Sequence, residues 1–282
     1  MEVYKSCVPC IKRQIIESAR MSTDEEIIIQ EVTTNTDRVL EKYSEYSCTP
    51  ELVYDIHRIV SDITGDSDPY RKIKERDIKA ALELYPLLKV FLQENENDIE
   101  CALNISVTGN VIDAAITKDI DINSVLFEEL RKPFSINDSS IFKTKLLNAS
   151  NILIIADNSG ETVFDRVLAE RLSADIIYAV RSSPILNDAT PDEAVESGLE
   201  GVVRIISSGC GAPGAVLDMC NAEFLEIFDK ADIVISKGQG NYEALSDCSR
   251  DIFFLLKAKC PVIAEQLGAS IGDHVLKYSK KG

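Results

Sequence analysis

The sequence predicts an α/β protein: a three-layer α/β/α domain on a mainly parallel sheet, preceded by an α-helical domain. Helical periodicity dominates the chain up to residue 148. Apolar, β-branched runs begin at residue 152, and helical stretches separate each run from the next. Strands joined through helices need crossover connections, which are right-handed and leave a parallel sheet covered on both faces. The expected division is a helical domain over 1–148 and an α/β/α domain over 149–282.

In the first part, "CVPCIKRQIIESARM" reads as a helix start, with Pro9 between two cysteines. The next helix, "DEEIIIQEVTTNTDRVLEKYSEY", has Asp24 as its expected N-cap. "PELVYDIHRIVSDITG" closes at Gly65, and "DIKAALELYPLLKVFLQEN", "DIECALNISVTGNVIDAAI" and "NSVLFEELRKP" continue the pattern. In the second part, strands are expected at 152–156, 175–180, 202–207, 232–236 and 252–256, with a sixth around 261–264. The helices between them include "ETVFDRVLAERLS", "DEAVESG", "PGAVLDMCNAEFLEIFDKA" and "NYEALSDC".

Charge narrows the ligand. The formal net charge is −17 over 282 residues, with 18 Lys+Arg against 27 Asp+Glu in 1–150 and 12 against 20 in 151–282. Both halves are acidic, so a nucleic-acid backbone would be repelled and metal cations attracted. No signal peptide and no apolar run of membrane-spanning length is apparent, so a cytoplasmic protein is expected. The eight cysteines are spread widely, unlike a secreted disulfide framework.

In open α/β sheets ligands bind outside the carboxyl ends of the strands, so the residues directly after each apolar run carry the information. The first run ends in Asp157-Asn158-Ser159-Gly160-Glu161. Helix capping accounts for part of this, with Asn158 as N-cap and Glu161 three positions on. It leaves Asp157 unexplained. Asp157, the amide oxygen of Asn158 and Asp188 from the next strand end form an expected three-oxygen site for Mg²⁺, Mn²⁺ or a similar ion.

The third run is followed by "GCGAPG" (209–214), a weak G-x-G-x-x-G match. It follows the wrong strand for a dinucleotide, so Gly209 and Gly211 are expected in a loop whose amides face an anion. After the fourth run, "KGQGNYE" supplies Lys237 as a point charge for phosphate, Gly238 and Gly240 for close backbone approach, and Asn241 to begin the next helix. In the helical part, Asn110 and Asp113 of "TGNVIDAA" make either a helix–helix turn or a substrate contact. Cys7-Val-Pro-Cys10 reads as packing cysteines, a redox pair, or half a zinc site completed by Cys48, Cys101 or His57.

Taken together, "CVPC", "GNVIDAA", "ADNSGETVFD", "NDAT", "GAPG", "KGQGNYEAL" and "KAKCPVIAEQLG" resemble the metal-dependent damage-control phosphatase family, prokaryotic branch, over nearly the whole chain. The resemblance implies a helical region joined to an α/β/α domain. It also implies hydrolysis of phosphomonoesters such as sugar phosphates and phosphopantetheine-type metabolites, with Mn²⁺, Co²⁺, Ni²⁺ or Mg²⁺. The family's metal-binding pair falls on Asp157 and Asn158, its later Asp on Asp188, and its substrate loop on Lys237, Gly238 and Asn241.

On this reading Asp157, Asp188, Glu161 and Lys237 are the expected catalytic residues, with Asp165 a further candidate for proton transfer. Asn110, Asp113, Gly209, Gly211, Gly238, Gly240 and Asn241 would contact the substrate, a small phosphorylated metabolite. Two alternatives stand beside it. An S-adenosylmethionine-dependent methyltransferase would want a multi-glycine loop after the first strand, where Gly160 stands alone. A non-catalytic module for a phosphorylated metabolite would bind without turnover.

Overall fold

A computed structural model describes residues 1–96, 98–109 and 122–280. The helices are α1 (Val8–Ser22), α2 (Glu26–Leu40), α3 (Thr49–Thr64), α4 (Arg71–Glu94), α5 (Ile99–Thr108), α6 (Ile122–Leu130), α7 (Ser139–Leu146), α8 (Glu161–Ala169), α9 (Pro191–Glu196), α10 (Ala222–Lys230), α11 (Gly238–Leu245) and α12 (Pro261–Leu267). The strands are β1 (Phe134–Asn137), β2 (Asn151–Ile155), β3 (Asp175–Val180), β4 (Arg204–Ser207), β5 (Ile233–Lys237), β6 (Ile252–Lys257) and β7 (His274–Ser279).

Strand order in the sheet is β1-β7-β6-β5-β2-β3-β4. The ladders β6–β5, β5–β2, β2–β3 and β3–β4 are parallel, and β7 runs antiparallel to β6. The chain steps from β2 to β3 and β4 on one side, then returns to place β5 on the other side of β2. That reversal makes a topological switch point between β2 and β5, where adjacent connections part and leave a crevice.

The central strands are buried on both faces, as their continuous apolar runs require. Ile152, Ile154, Ile233 and Ile235 pack under α4, α5 and α8. Leu153, Ile155 and Val234 face α10, α11 and α12 through Phe224, Phe228, Tyr242 and Ile263. Each such side chain, removed from water, stabilises the fold by about 1.5–3 kcal/mol before entropy is counted. Helices α1 to α3 form their own packet around Ile15, Val32, Leu52 and Ile56, and Leu186 from the loop after β3 packs against it.

Local chemistry shifts several expected elements. Residues 261–264 are helical, because Pro261 sits in the first turn and the Cys260 sulfur accepts the Ile263 N–H. The sheet instead gains β7 and the four-residue β1, which lies before residue 148, so β1 joins the helical part of the chain to the sheet. Asp24 is not a cap. Helix α2 begins after Glu25, whose N–H is taken by the Thr23 hydroxyl at 3.1 Å.

Candidate active site

The loops after β2 and β3 are zipped together. Ala189 N–H donates to the Asp157 carbonyl (2.9 Å), Ser159 N–H to the Asn187 carbonyl (2.8 Å), and Asn158 and Asp188 form an isolated antiparallel bridge. The Ser159 hydroxyl adds a bond to the Asp188 carbonyl at 3.1 Å. This short ladder delivers Asp157, Asn158 and Asp188 to one wall of a cleft of about 580 Å³. The other walls come from α1, the start of α3, the start of α11 and the segment after β6.

Within this group the two carboxylates are set differently. The Asp157 side chain is buried and its carboxylate takes no hydrogen bond from the described residues; burial first, then the Asp188 charge, pushes the carboxyl up to about 6. Its carboxylate lies on the Gly238 backbone so closely that a Cβ there would stand 2.0 Å from Oδ2. Gly238, at φ +76°, is thus required twice, for conformation and for space. Burial also raises Asp188, but Arg181 opposes it with a bond from Nε to Oδ2 at 2.8 Å. Arg181 is itself buried, and its Nη1 donates to Asn241 Oδ1 at 3.1 Å.

Asn158 does not cap α8. Its Nδ2 donates to Glu161 Oε1 at 3.1 Å, which fixes the amide orientation, and Gly160 occupies the cap position with no side-chain bond. Two carboxylates and one oriented amide are a hard-oxygen set of the kind that Mg²⁺ or Mn²⁺ accepts while keeping waters. Among the described residues no group of three or more His, Cys, Asp or Glu stands together in a way that could hold a metal.

Lys237 is placed otherwise than its position in the sequence implies. Its ammonium group is buried and donates to Glu161 Oε2 (3.2 Å), Asp165 Oδ1 (2.5 Å) and the Ser106 carbonyl (3.2 Å). All three donors are spent, and Lys237 does not line the cleft. Asp165, held also by the Ser106 hydroxyl (2.5 Å) and the Tyr178 hydroxyl (2.7 Å), is fully buried. Lys237, Glu161 and Asp165 form a buried ion cluster outside the cleft wall.

Asn241 is also internal. Its Nδ2 donates to the Ala156 and Lys237 carbonyls (2.8 and 2.7 Å), and its Oδ1 accepts from Ala215 N–H (2.8 Å) as well as Arg181. It ties four strand-end segments together and begins nothing, since α11 starts at Gly238. In the 209–214 loop, the N–H groups of Gly209, Cys210 and Gly214 bond to Ser207, Ser208 and Ala212. Gly209 abuts Asn221 and Gly211 abuts Tyr54 and Ser183, so neither glycine opens onto the cleft. Gly240 does line it, and lies so close to the Pro213 carbonyl that no side chain would fit. Asn110 and Asp113 lie outside the described residues.

The cleft contains residues that the sequence did not single out. Lys259, Gln239, Glu243 and Cys260 line it, beside the Cys7 and Cys10 pair that the sequence did single out. Lys259 follows β6 as Asp157 follows β2, and Arg181 is the first residue after β3, so both sit at positions where strand-end chemistry is expected. Burial pushes the Cys7 thiol up, and the charges of Glu243, Cys260 and Cys10 push it further. Of the residues that could have completed a zinc site, His57 is buried against Ser18, with burial driving its imidazole down to about 4. Neither it nor Cys48 nor Cys101 lines the cleft.

A parallel α/β/α sheet with an acidic pair at its switch point defines a class, proteins that work at the carboxyl edge of the sheet. The chain belongs to the damage-control phosphatase ARMT1-like domain family, whose profile matches residues 3–275. It is 31% identical to a damage-control phosphatase of Pyrococcus horikoshii over 99% of both chains. It is 34% identical to an uncharacterized protein of Methanocaldococcus jannaschii, over 98% of this chain and 95% of that one. The crystal structure of a DUF89 family protein from Pyrococcus horikoshii superposes with a TM-score of 0.91 at 32% identity, covering 99% of this chain and 100% of that one. Among the described residues no helix is long and apolar enough to cross a membrane.

Proposed function

We propose that the protein is a metal-dependent phosphomonoester hydrolase acting on a small phosphorylated metabolite, of the sugar-phosphate or phosphopantetheine type. The observation that carries this reading is the Asn158–Asp188 bridge, which sets Asp157 and Asp188 on one cleft wall at the switch point. Membership of the damage-control phosphatase family supports it.

A divalent ion (Mn²⁺, Co²⁺, Ni²⁺ or Mg²⁺) would be held by Asp157, Asn158 and Asp188. When bound, such an ion supplies charge neutralisation at a phosphoryl oxygen. The protein's own residues do the positioning. Arg181 fixes Asp188, Glu161 fixes the Asn158 amide, and Asn241 holds Arg181 and the strand ends in register. Lys237 faces Glu161 and Asp165 as the cation of their buried cluster, and its charge opposes the rise that burial imposes on Glu161. It is a positioning residue, not a phosphate ligand.

The test is Asp188→Ala assayed with a generic phosphomonoester across the four metals. Turnover should fall at least about 100-fold, the upper end of what losing even an outer partner of a metal ligand costs. Undiminished metal-dependent turnover overturns the assignment. Ester hydrolysis no higher than in a metal-stripped control would favour a binding module without catalysis.

A further inference from the structure

Outside the cleft lining lies a pair of thiols that the proposed chemistry leaves unused. Cys210, fully buried, follows β4, and half-buried Cys220 returns beside it after the 3₁₀ turn Leu217–Met219. The two thiols share a hydrogen bond, and each sulfur lies 3.3 Å from a carbonyl of the loop between them, Gly214 for Cys210 and Val216 for Cys220. Their backbones are tied as well. Asn221 N–H donates to the Ser208 carbonyl at 2.9 Å, and a Cβ on Gly209 would stand 2.6 Å from the Asn221 nitrogen. Sulfurs in hydrogen-bond contact on segments already joined need only a small closure to reach the S–S bond length of about 2.05 Å. The Cys220 bond, helped by backbone bonds and the Arg181 charge, outweighs burial and holds the Cys210 thiol below its ordinary value.

This pair borders the residue that holds Asp188. Ser182 N–H donates to the Cys210 carbonyl (3.0 Å) and Ser208 N–H to the Val180 carbonyl (2.8 Å), so the Cys210 segment is stitched to both neighbours of Arg181. The loop between the cysteines carries Ala215, whose N–H shares Asn241 Oδ1 with Arg181. The third arm of Arg181, Nη2, is buried and has no hydrogen-bond partner among the described residues, so nothing on that side resists a shift. We infer that Cys210 and Cys220 form a reversible disulfide under peroxide, and that this closure weakens the metal site by drawing Arg181 away from Asp188. The disulfide follows from the thiol geometry alone, whereas its effect on turnover rests on the phosphatase reading.

The half-buried thiol is the one that a peroxide reaches. Proton transfer across the hydrogen bond leaves Cys220 as the thiolate, whose sulfur takes one peroxide oxygen as a sulfenic acid while the O–O bond breaks and hydroxide departs. The hydroxide removes the Cys210 proton as water. The Cys210 sulfur then attacks that of Cys220, forming S–S and breaking S–O with release of a second hydroxide. In the test, chelator-treated wild-type protein is exposed to hydrogen peroxide, quenched with iodoacetamide and digested with trypsin. Cleavage after Arg204 and Lys230 yields a peptide, 205–230, whose cysteines are Cys210 and Cys220 alone. It should escape alkylation and weigh two hydrogen atoms less than its reduced form, and dithiothreitol should restore both thiols. The Kd for Mn²⁺ by calorimetric titration should rise about tenfold on oxidation, at the low end of what disturbing a metal ligand's partner costs. Phosphomonoester turnover at limiting Mn²⁺ should fall and recover in step. Cys220→Ala, or Cys220→Ser should the alanine variant not fold, should match untreated wild type and keep its Mn²⁺ affinity after peroxide.

A peptide still fully alkylated after peroxide, or a disulfide that joins Cys48 to either thiol, would overturn the pairing. Unchanged Mn²⁺ affinity in the oxidised wild type, or an equal loss in the Cys220 variant, would overturn the link to Asp188. A wild-type protein inert toward every ester would sink the phosphatase reading instead, and the disulfide with its weakened Mn²⁺ binding would then still uphold this inference.

Discussion

Asp157 shows how a single side chain links the site to stability. Its carboxyl titrates near 6 in the fold, above its ordinary 3.8, because burial and Asp188 penalise its charge. Between those values the folded chain keeps a proton that the unfolded chain has released. The metal-free protein is therefore stabilised by that proton below about pH 4 and loses the benefit as the pH rises through about 6. Asp157→Asn mimics the protonated form. It should raise the unfolding temperature of chelator-treated protein by a few degrees at pH 8 and change it little at pH 4, measured by scanning calorimetry. An unchanged midpoint at pH 8 would mean that the carboxylate is not destabilised by its surroundings. At this scale the sequence was legible where polar residues broke an apolar run without a structural need, as at Asp157 and Asp188. Arg181 and Lys259 were not, because a lone cation after a strand has no pattern to distinguish it from any solvent-facing lysine or arginine.

The strands explain why Lys237 belongs to the interior. Side chains alternate along a strand, so Ile233, Ile235 and Lys237 share the face covered by α5 and α8, while Val234 and Ser236 share the other. Sequence placed Lys237 at the strand end; only the register and the covering helices decide that its stem runs under α8 to meet Glu161 and Asp165. Replacing it by Met would leave two buried carboxylates without their cation, so Lys237→Met should lose about 3–5 kcal/mol, seen as a lowered urea midpoint. Full stability with only weakened phosphate binding would return Lys237 to the role its position first implied. The same limit applies to 261–264. An apolar run after a strand fits either period when it is this short, and Pro261 with the Cys260 cap settles it as helix. Strand β1, four residues long and joined to the sheet through β7, has too little alternation to be read before pairing is known.

At the scale of the whole chain, the cleft exists because the α1–α3 packet docks on the carboxyl edge of the sheet. Leu186 packs against the packet's core, and the terminal amine of Met1 bonds to the Glu243 carbonyl (3.0 Å) and pairs with Asp247 (2.9 Å). Periodicity predicts that these helices exist but not which face meets the sheet, so the convergence of Cys7 and Cys10 with Asp157 and Asp188 was invisible in the sequence. It has a direct consequence. Cys10 is exposed on the wall of the cleft, whereas Cys7 is half-buried and its thiol is pushed up, so an alkylating reagent should reach Cys10 first. N-ethylmaleimide should add to Cys10 before the other thiols and reduce phosphatase turnover, and inorganic phosphate with Mn²⁺ should slow both. Cys10→Ser should keep turnover and resist the reagent over the same interval, because the sulfur is a wall atom and not a participant. Full turnover after complete Cys10 alkylation would show that substrate does not pass this wall, and the helical packet would then shield the sheet edge without shaping what it accepts.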